Sequence, residues 1–210
     1  MKVLRLTDKG VKEALNHPAI AGKTVIGRGT FSLVFDNGDT VLKLTTDSCH
    51  YEMLKFYSDD GVRFPKVLTD HGVVGVQGHM DLNLYLIEVE RLEPITVKSG
   101  EWKLVKALIK GAANMMRTKT PVFERHANKI DMRLIVPETL FQMAEDKSLP
   151  ADVKEALDSI ARFSMDYEGV ALDFHRANFM VRPSTGAAVF SDPVYNLLTL
   201  NRQERLAGAF

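Results

Sequence analysis

The 210-residue chain contains one cysteine, Cys49, and one tryptophan, Trp102. A single thiol excludes an intramolecular disulfide and a cysteine-built zinc site. Long apolar runs are missing as well. Arg5, Asp8 and Lys9 interrupt the N-terminus before an apolar core of signal-peptide length can form, and no run approaches the roughly 18 residues of a membrane span. An excess of charge of either sign is also absent, with 27 Lys+Arg against 27 Asp+Glu. That balance removes whole-chain attraction to nucleic acid or an anionic membrane as the main basis of function. Together these absences predict a chain that stays in a reducing cytoplasm, with no membrane partner and no direct nucleic-acid partner. Neither repeats nor low-complexity tracts stand out, so periodicity and punctuation must supply the organisation.

What is present divides into two halves. Between Lys23 and about Glu90, short β-rich runs are bounded by Gly, Pro, Asn or Asp: residues 23–27, 31–35, 40–45, 64–68, 72–76 and 84–89. Asn37-Gly38 predicts a tight hairpin of type I′ between the second and third. One helix is expected from about Ser48 to Tyr57, with Asp47 as N-cap and Tyr51, Leu54 and Tyr57 on one face. From Glu101 onward the period becomes helical. Trp102, Val105, Leu108, Ala112 and Met115 form one stripe; Val153, Leu157, Ile160, Phe163 and Tyr167 form another, behind Ser148 and Pro150 as N-cap and early helical position. Weaker helices are expected at about 124–134 and 138–146. A late hairpin closes the pattern, with A-N-F-M-V-R and A-A-V-F-S around P-S-T-G. The expectation is an α+β chain with an antiparallel-sheet lobe over residues 1–92 and a mainly helical lobe over 93–210.

Three segments carry residue types suited to chemistry. The loop G-R-G-T-F-S-L-V-F (27–35) joins the first two strands. Gly27 and Gly29 there allow positive φ and let backbone N–H groups approach a phosphate; an ordinary hairpin turn is the competing reading. Lys43 alternates with Leu42 and Leu44, so it stands on the face of Val41 and Thr45. Burying it needs a partner, because an unpaired ammonium is costly to desolvate. Glu52, mid-helix, is the expected partner, which would aim the lysine at nucleotide phosphates; the alternative is an edge lysine facing water. In the late hairpin, a turn centred on Ser184-Thr185 pairs residues whose numbers sum to about 369. Asn178 then faces Ser191 and lies beside Asp192, with Asp173 five residues earlier. Such hard oxygen ligands suit Mg²⁺, which binds through one or two carboxylates plus substrate phosphates; turn-forming Asp and Asn are the plain alternative. His175 is either a phosphate-positioning group or a loop histidine, and Cys49 is either a small buried residue or a thiol nucleophile.

Taken in order, G-x-G-x-F-S-x-V, V-L-K, a mid-helix Glu, I-E-V-E-R-L, D-x-x-x-x-N and S-D-P resemble the protein-kinase-like series of phosphoryl-transfer parts. Within that superfamily the chain is similar to the early serine/threonine protein kinases of T7-like bacteriophages, chiefly through D-F-H-R-A-N-F-M (173–180) and S-D-P-V (191–194). The resemblance implies a bilobal fold with an αC-type helix, ATP and Mg²⁺ as cofactors, and host proteins and the chain itself as substrates in the host cytoplasm. It implies that Gly27, Gly29, Thr30 and Ser32 cover the phosphates and that Lys43, held by Glu52, contacts them. Backbone groups from Glu88 through Glu90 to Leu92 would meet adenine. Asp173 would be the catalytic base, with Asn178 and Asp192 on Mg²⁺. Thr30 and Ser32 would be inhibitory autophosphorylation positions.

The departures define the alternatives. Ser32 replaces the third loop glycine, Ala171-Leu172 stand before the catalytic aspartate, and Pro193-Val194 follow the metal aspartate. Residues 193–210, eighteen in all, leave no room for an activation segment and the helices that hold a protein substrate, so the helical lobe is expected to be truncated. A small-molecule phosphotransferase and a degenerate kinase-fold module that binds and inhibits a host enzyme are the other two readings.

Overall fold

The computed structural model describes residue 4 and residues 6–58, 63–78, 81–126 and 132–208. The chain is α+β and divides into two compact units, residues 1–55, 66–91 and 196–210 in the first and 56–65 and 92–195 in the second. Besides the boundary near residue 92, a short internal segment belongs to the second unit, and residues 196–210 belong to the first.

The first unit is built on a five-stranded antiparallel sheet of order β1-β2-β3-β5-β4. Its strands are β1 (Val25–Arg28), β2 (Ser32–Asn37), β3 (Thr40–Thr45), β4 (Val67–Gln77) and β5 (Leu82–Glu90). Alternation assigns the faces. Leu33 and Phe35 of β2, Leu42 and Leu44 of β3, and Leu84 and Leu86 of β5 bury one face under Leu4, Ile20 and helix α1 (Lys9–Ala14), whose Val11 and Ala14 join the cluster. On the other face Ile87 and Val89 pack with Tyr51 and Leu54 of α2 (Ser48–Tyr57). Tyr51 stacks on Tyr85 with ring centroids 4.3 Å apart, and its hydroxyl donates to Asp70 Oδ1 at 2.6 Å, which ties α2 to β4. Lys55 completes the group with a 3.1 Å ion pair to Asp70.

Several turns differ from expectation. The β2–β3 loop has Gly38 and Asp39 as its central residues, because Asn37 pairs with Thr40. Only Gly38 has positive φ, +72°, which is the type II′ pattern instead of I′. The two strands expected at 64–68 and 72–76 are one strand, β4. It is kinked where Gly72 adopts φ +70° and donates to Asp70 Oδ1 at 2.9 Å, a bulge that alternation alone cannot foresee.

Helix α1, which periodicity does not announce, packs directly against β4. A Cβ on Gly10 would lie 1.9 Å from the Val76 carbonyl oxygen, so helix and strand backbones touch directly. Gly10→Ala should therefore cost about 3 kcal/mol or more, lowering Tm by roughly 6–12 °C. Thermal denaturation checks this, and an unchanged Tm would disprove the close approach.

The second unit contains α3 (Trp102–His126), α4 (Met132–Ala144) and α5 (Ala151–Asp166). The helices expected at 124–134 and 138–146 are, among the described residues, the end of α3 and the single α4, with 127–131 outside the described residues. Pro137 lies inside α4 and breaks the pattern that would have announced it. Pro150 is the N-cap of α5, without a side-chain bond; Ser148, the expected cap, instead uses its N–H and hydroxyl on Asp146 Oδ1 at 2.8 and 2.7 Å. The unit's strands are β6 (Glu93–Pro94), β7 (Val170–Leu172), β8 (Phe179–Val181), β9 (Ala188–Phe190) and β10 (Val194–Asn196), arranged as β6-β8-β9 and β10-β7.

Arg63 holds this unit together. Its guanidinium, with the side chain only 6% exposed, pairs with Glu101, donates to Asp152 Oδ2 at 2.8 Å and to the Ala188 carbonyl at 3.1 Å, and so joins the starts of α3 and α5 to β9. Burial works against its charge, but the bonds from Glu101 and Asp152 outweigh it and leave the pKa above its ordinary value. A ring cluster of Phe64, Phe174, Phe179 and Phe190, with centroids 5.0–6.1 Å apart, fills the space behind the β8–β9 hairpin.

Candidate functional site

In the second unit, the β8–β9 hairpin has the register Phe179↔Phe190, Met180↔Val189 and Val181↔Ala188, so each pair sums to 369 as the turn position required. Ser191 and Asp192 donate their N–H groups to the Asn178 carbonyl at 2.9 and 3.3 Å. Asp173 is tied to the same end. Its N–H donates to the Pro193 carbonyl at 2.8 Å, and its own carbonyl accepts from Asn178 Nδ2 at 2.9 Å. A short 3-10 turn, Arg176–Asn178, carries the chain from Asp173 into β8, with Phe174 packed beneath it. The two carboxylates and the amide converge as expected because a hairpin end, a 3-10 turn and the β7 strand all stop at one place.

The electrostatics follow from that crowding. Burial pushes the Asp173 carboxyl above its usual pKa, and the neighbouring Asp192 charge pushes the same way, while His175 and Asn178 oppose it. His175 Nδ1 accepts from the Ala177 N–H at 3.3 Å, so its proton sits on Nε2, which lies 3.4 Å from Asp173 Oδ1. The structure thus places His175, left open by sequence, beside the Asp173 carboxylate at ion-pair distance. A cation between the two carboxylates would relieve their repulsion. With Nδ2 of Asn178 committed to Asp173, the amide presents Oδ1, and with Asp192 this is a hard-oxygen set that fits Mg²⁺. Among the described residues no group of three or more His, Cys, Asp or Glu is placed to hold a metal by itself, so an ion here would take its remaining ligands from substrate and water.

In the first unit, Lys43 lies on the α2 face of β3, directly between Val34 of β2 and Ile87 of β5. The expected Glu52 partnership is not found among the described residues. Instead Lys43 Nζ is 2.8 Å from His50 Nε2, and His50 is 1% exposed. The reason is angular. Asp47 caps α2 by accepting the His50 N–H at 3.1 Å, and at 100° per residue Glu52 points about 200° away from His50.

The glycine loop is a closed turn. The Gly29 N–H donates to the Ser32 carbonyl at 2.8 Å, and neither Gly27 nor Gly29 has positive φ. Both glycines serve close approach: a Cβ on Gly27 would meet the Val34 Cβ at 3.2 Å, and one on Gly29 would meet Ser32 Oγ at 3.1 Å. The Thr30 carbonyl accepts from the Leu4 N–H at 3.2 Å, and the Phe31 carbonyl accepts from the Thr46 N–H at 2.9 Å, so the turn is anchored on both sides. Ser32 is buried in β2, which sets its hydroxyl against the expected modification; Thr30 is half-buried.

Glu88 and Glu90 both lie within β5, as the run 84–89 leads one to expect for Glu88. Glu88 Oε1 accepts from Thr40 Oγ1 at 2.6 Å and from Asn37 Nδ2 at 2.8 Å, and these bonds, the Thr40 one foremost, hold its carboxyl below the usual range. The Glu90 N–H donates to the Lys66 carbonyl at 3.0 Å while Glu90 Oε1 accepts from the Lys66 N–H at 2.9 Å. Of the segment expected to meet adenine, Arg91 and Leu92 lie beyond the strand, and Arg91 staples the Gly38 turn through a 2.7 Å bond to its carbonyl. Cys49 is buried and its thiol is pushed up to about 12, chiefly by burial, so it is no nucleophile.

Two contacts carry no signal in the sequence. His50 carried no signal beyond its seven-residue distance from Lys43. Asn196, the N-cap of α6 (Leu197–Gly208) through Thr199 N–H at 3.0 Å, also donates its own N–H to Asp47 Oδ2 at 3.2 Å, joining the caps of two helices.

No helix among the described residues is long and apolar enough to cross a membrane. No protein-family model matches the chain. No curated protein matches it either. Among solved structures, a thermostable mutant of aminoglycoside phosphotransferase APH(4)-Ia in ternary complex with AMP-PNP and hygromycin B overlays 94% of this chain and 81% of its own, at 14% identity and a TM-score of 0.34. A choline/ethanolamine kinase family protein from Mesorhizobium loti overlays 89% of this chain and 65% of its own, at 16% identity and a TM-score of 0.35. Another structure of the aminoglycoside phosphotransferase gives 90% and 78%, 15% identity and a TM-score of 0.33.

Proposed function

We propose that the chain is a protein-kinase-like phosphotransferase that moves the γ-phosphoryl group of ATP to a hydroxyl, with serine or threonine of proteins as the acceptor class. The observation that carries this reading is the convergence of Asp173, Asn178 and Asp192 at one end of the β8–β9 hairpin. Asp192 and Asn178 Oδ1 would hold Mg²⁺, which when bound neutralises charge on the nucleotide phosphates. Lys43 binds phosphate oxygens as a point charge, and Gly27 keeps its end of the β1–β2 turn thin enough for close approach. Asp173 accepts the acceptor's hydroxyl proton as that oxygen bonds to the γ-phosphorus and the bond to the ADP oxygen breaks. Burial supports this role, because a carboxylate with a raised pKa is a better base than an exposed one. The cytoplasmic host setting and the host-protein acceptors belong to the same proposal.

Incubating the chain with Mg²⁺ and γ-labelled ATP, with and without a hydroxyl-rich test protein, should transfer label to protein. Label that reaches only a hydroxylated small molecule would move the acceptor class to metabolites or antibiotics. No transfer to protein, small molecule or water would overturn the enzymatic reading in favour of a binding module.

A further inference from the structure

We infer that His50, through its neutral imidazole, orients Lys43 for phosphate, the role expected of Glu52. The inference rests on the proposed phosphoryl transfer for its kinetic consequence, and on geometry alone for the contact.

Lys43 Nζ and His50 Nε2 are 2.8 Å apart, a hydrogen-bond distance. An ammonium has donors only, so Nε2 must be the acceptor and carry no proton, and the neutral ring keeps its proton on Nδ1. The arrangement is built rather than incidental. β3 ends at Thr45, whose Oγ1 accepts from the Asp47 N–H at 3.0 Å, and the Asp47 carboxylate then accepts the His50 N–H. Two residues therefore turn the chain from strand to helix and deliver position 50 over position 43. Asp47 is itself held by Asn196, and His50 is 1% exposed, so the ring has little freedom. An imidazole that accepts through Nε2 takes one of the three ammonium donors and fixes the direction of the Lys43 side chain.

The test has two arms. Nitrogen-15 NMR of the imidazoles in the nucleotide-free chain at neutral pH should show His50 with an unprotonated Nε2, and that signal should shift in Lys43→Met. A protonated Nε2, or a signal indifferent to Lys43→Met, overturns the inference whether or not the chain is an enzyme. In the kinetic arm, kcat should fall about tenfold or more in His50→Ala and return to within about threefold of wild type in His50→Gln, whose amide oxygen can replace Nε2. Glu52→Gln should leave kcat within about twofold. A Gln variant as impaired as the Ala variant, or a Glu52→Gln loss equal to that of His50→Ala, overturns it. Absence of transfer by wild type sinks the proposed reaction, and the NMR arm still decides the contact.

Discussion

Asp192→Asn should lower kcat for phosphoryl transfer by about 10³-fold, equivalent to about 4 kcal/mol of barrier, while leaving the fold intact. The size follows from the donor set. Asn178 contributes one neutral oxygen and Asp192 a negative charge, while Asp173 is reserved for the proton. An amide at 192 keeps the shape but removes the charge that draws a divalent cation into the hairpin end. The backbone is spared, because Asp192 is held to Asn178 through its main-chain N–H at 3.3 Å. Steady-state kinetics across a Mg²⁺ titration read the effect: the variant should need more Mg²⁺ and still reach a lower plateau. Wild-type kcat and Mg²⁺ dependence in the variant would remove the hairpin end from the reaction. Chelation with EDTA should abolish transfer by the wild type and be reversed by added Mg²⁺.

Asp173→Asn should cost about 10²–10⁴-fold in kcat, the usual contribution of a positioned base, and yet leave Tm at neutral pH equal or higher. The stability half is a linkage argument. Asp173 has a folded pKa raised by burial and by Asp192. Its protonated form stabilises the fold fully below the ordinary carboxylate pKa, and that contribution is lost as pH rises through the raised folded value. Above the raised folded pKa the wild type bears an ionised, partly buried carboxylate that the isosteric amide avoids. The variant's advantage should shrink as pH falls and vanish once Asp173 is protonated in both states. The Asn178 Nδ2 bond to the backbone carbonyl of residue 173 stays in place, while the help that His175 and Asn178 give the carboxylate is lost. On the rate side, wild-type kcat should fall in acid at a higher pH than an ordinary aspartate would give. Melting temperatures and kcat measured over the same pH series check both halves; a variant less stable than wild type at neutral pH would mean that Asp173 is structural.

The two sites differed in how far local sequence could reach. The hairpin end was legible to the register because a hairpin is a local object: once Ser184-Thr185 mark the turn, antiparallel pairing dictates that 178 meets 191. The face of Lys43 was legible for the same reason, since Leu42 and Leu44 are both buried and alternation leaves Lys43 on the other side. Its partner was not. Charge complementarity nominated Glu52, but the rotation of α2 is set by its cap at Asp47 and by Tyr51 and Leu54 seeking Ile87 and Val89. That rotation turns His50 to the lysine. The glycine loop was found as a loop, yet its closure on itself through Gly29 and its anchoring to Leu4 and Thr46 depend on segments that composition does not relate to it.

By itself the sequence determined the α+β class, the alternating faces of the sheet, the α2 boundaries with their aspartate cap, and the register that gathers Asp173, Asn178 and Asp192. Each of these is governed by period, capping or turn chemistry within about twenty residues. Only the tertiary structure decided that Asn196 meets Asp47, that Arg63 gathers Glu101, Asp152 and Ala188, that α1 lies on β4 at Gly10, and that His50 answers Lys43. These contacts join residues whose local patterns are individually ordinary. Buried charge must find a partner and backbones must find room, and which partner and which room are properties of the packed chain.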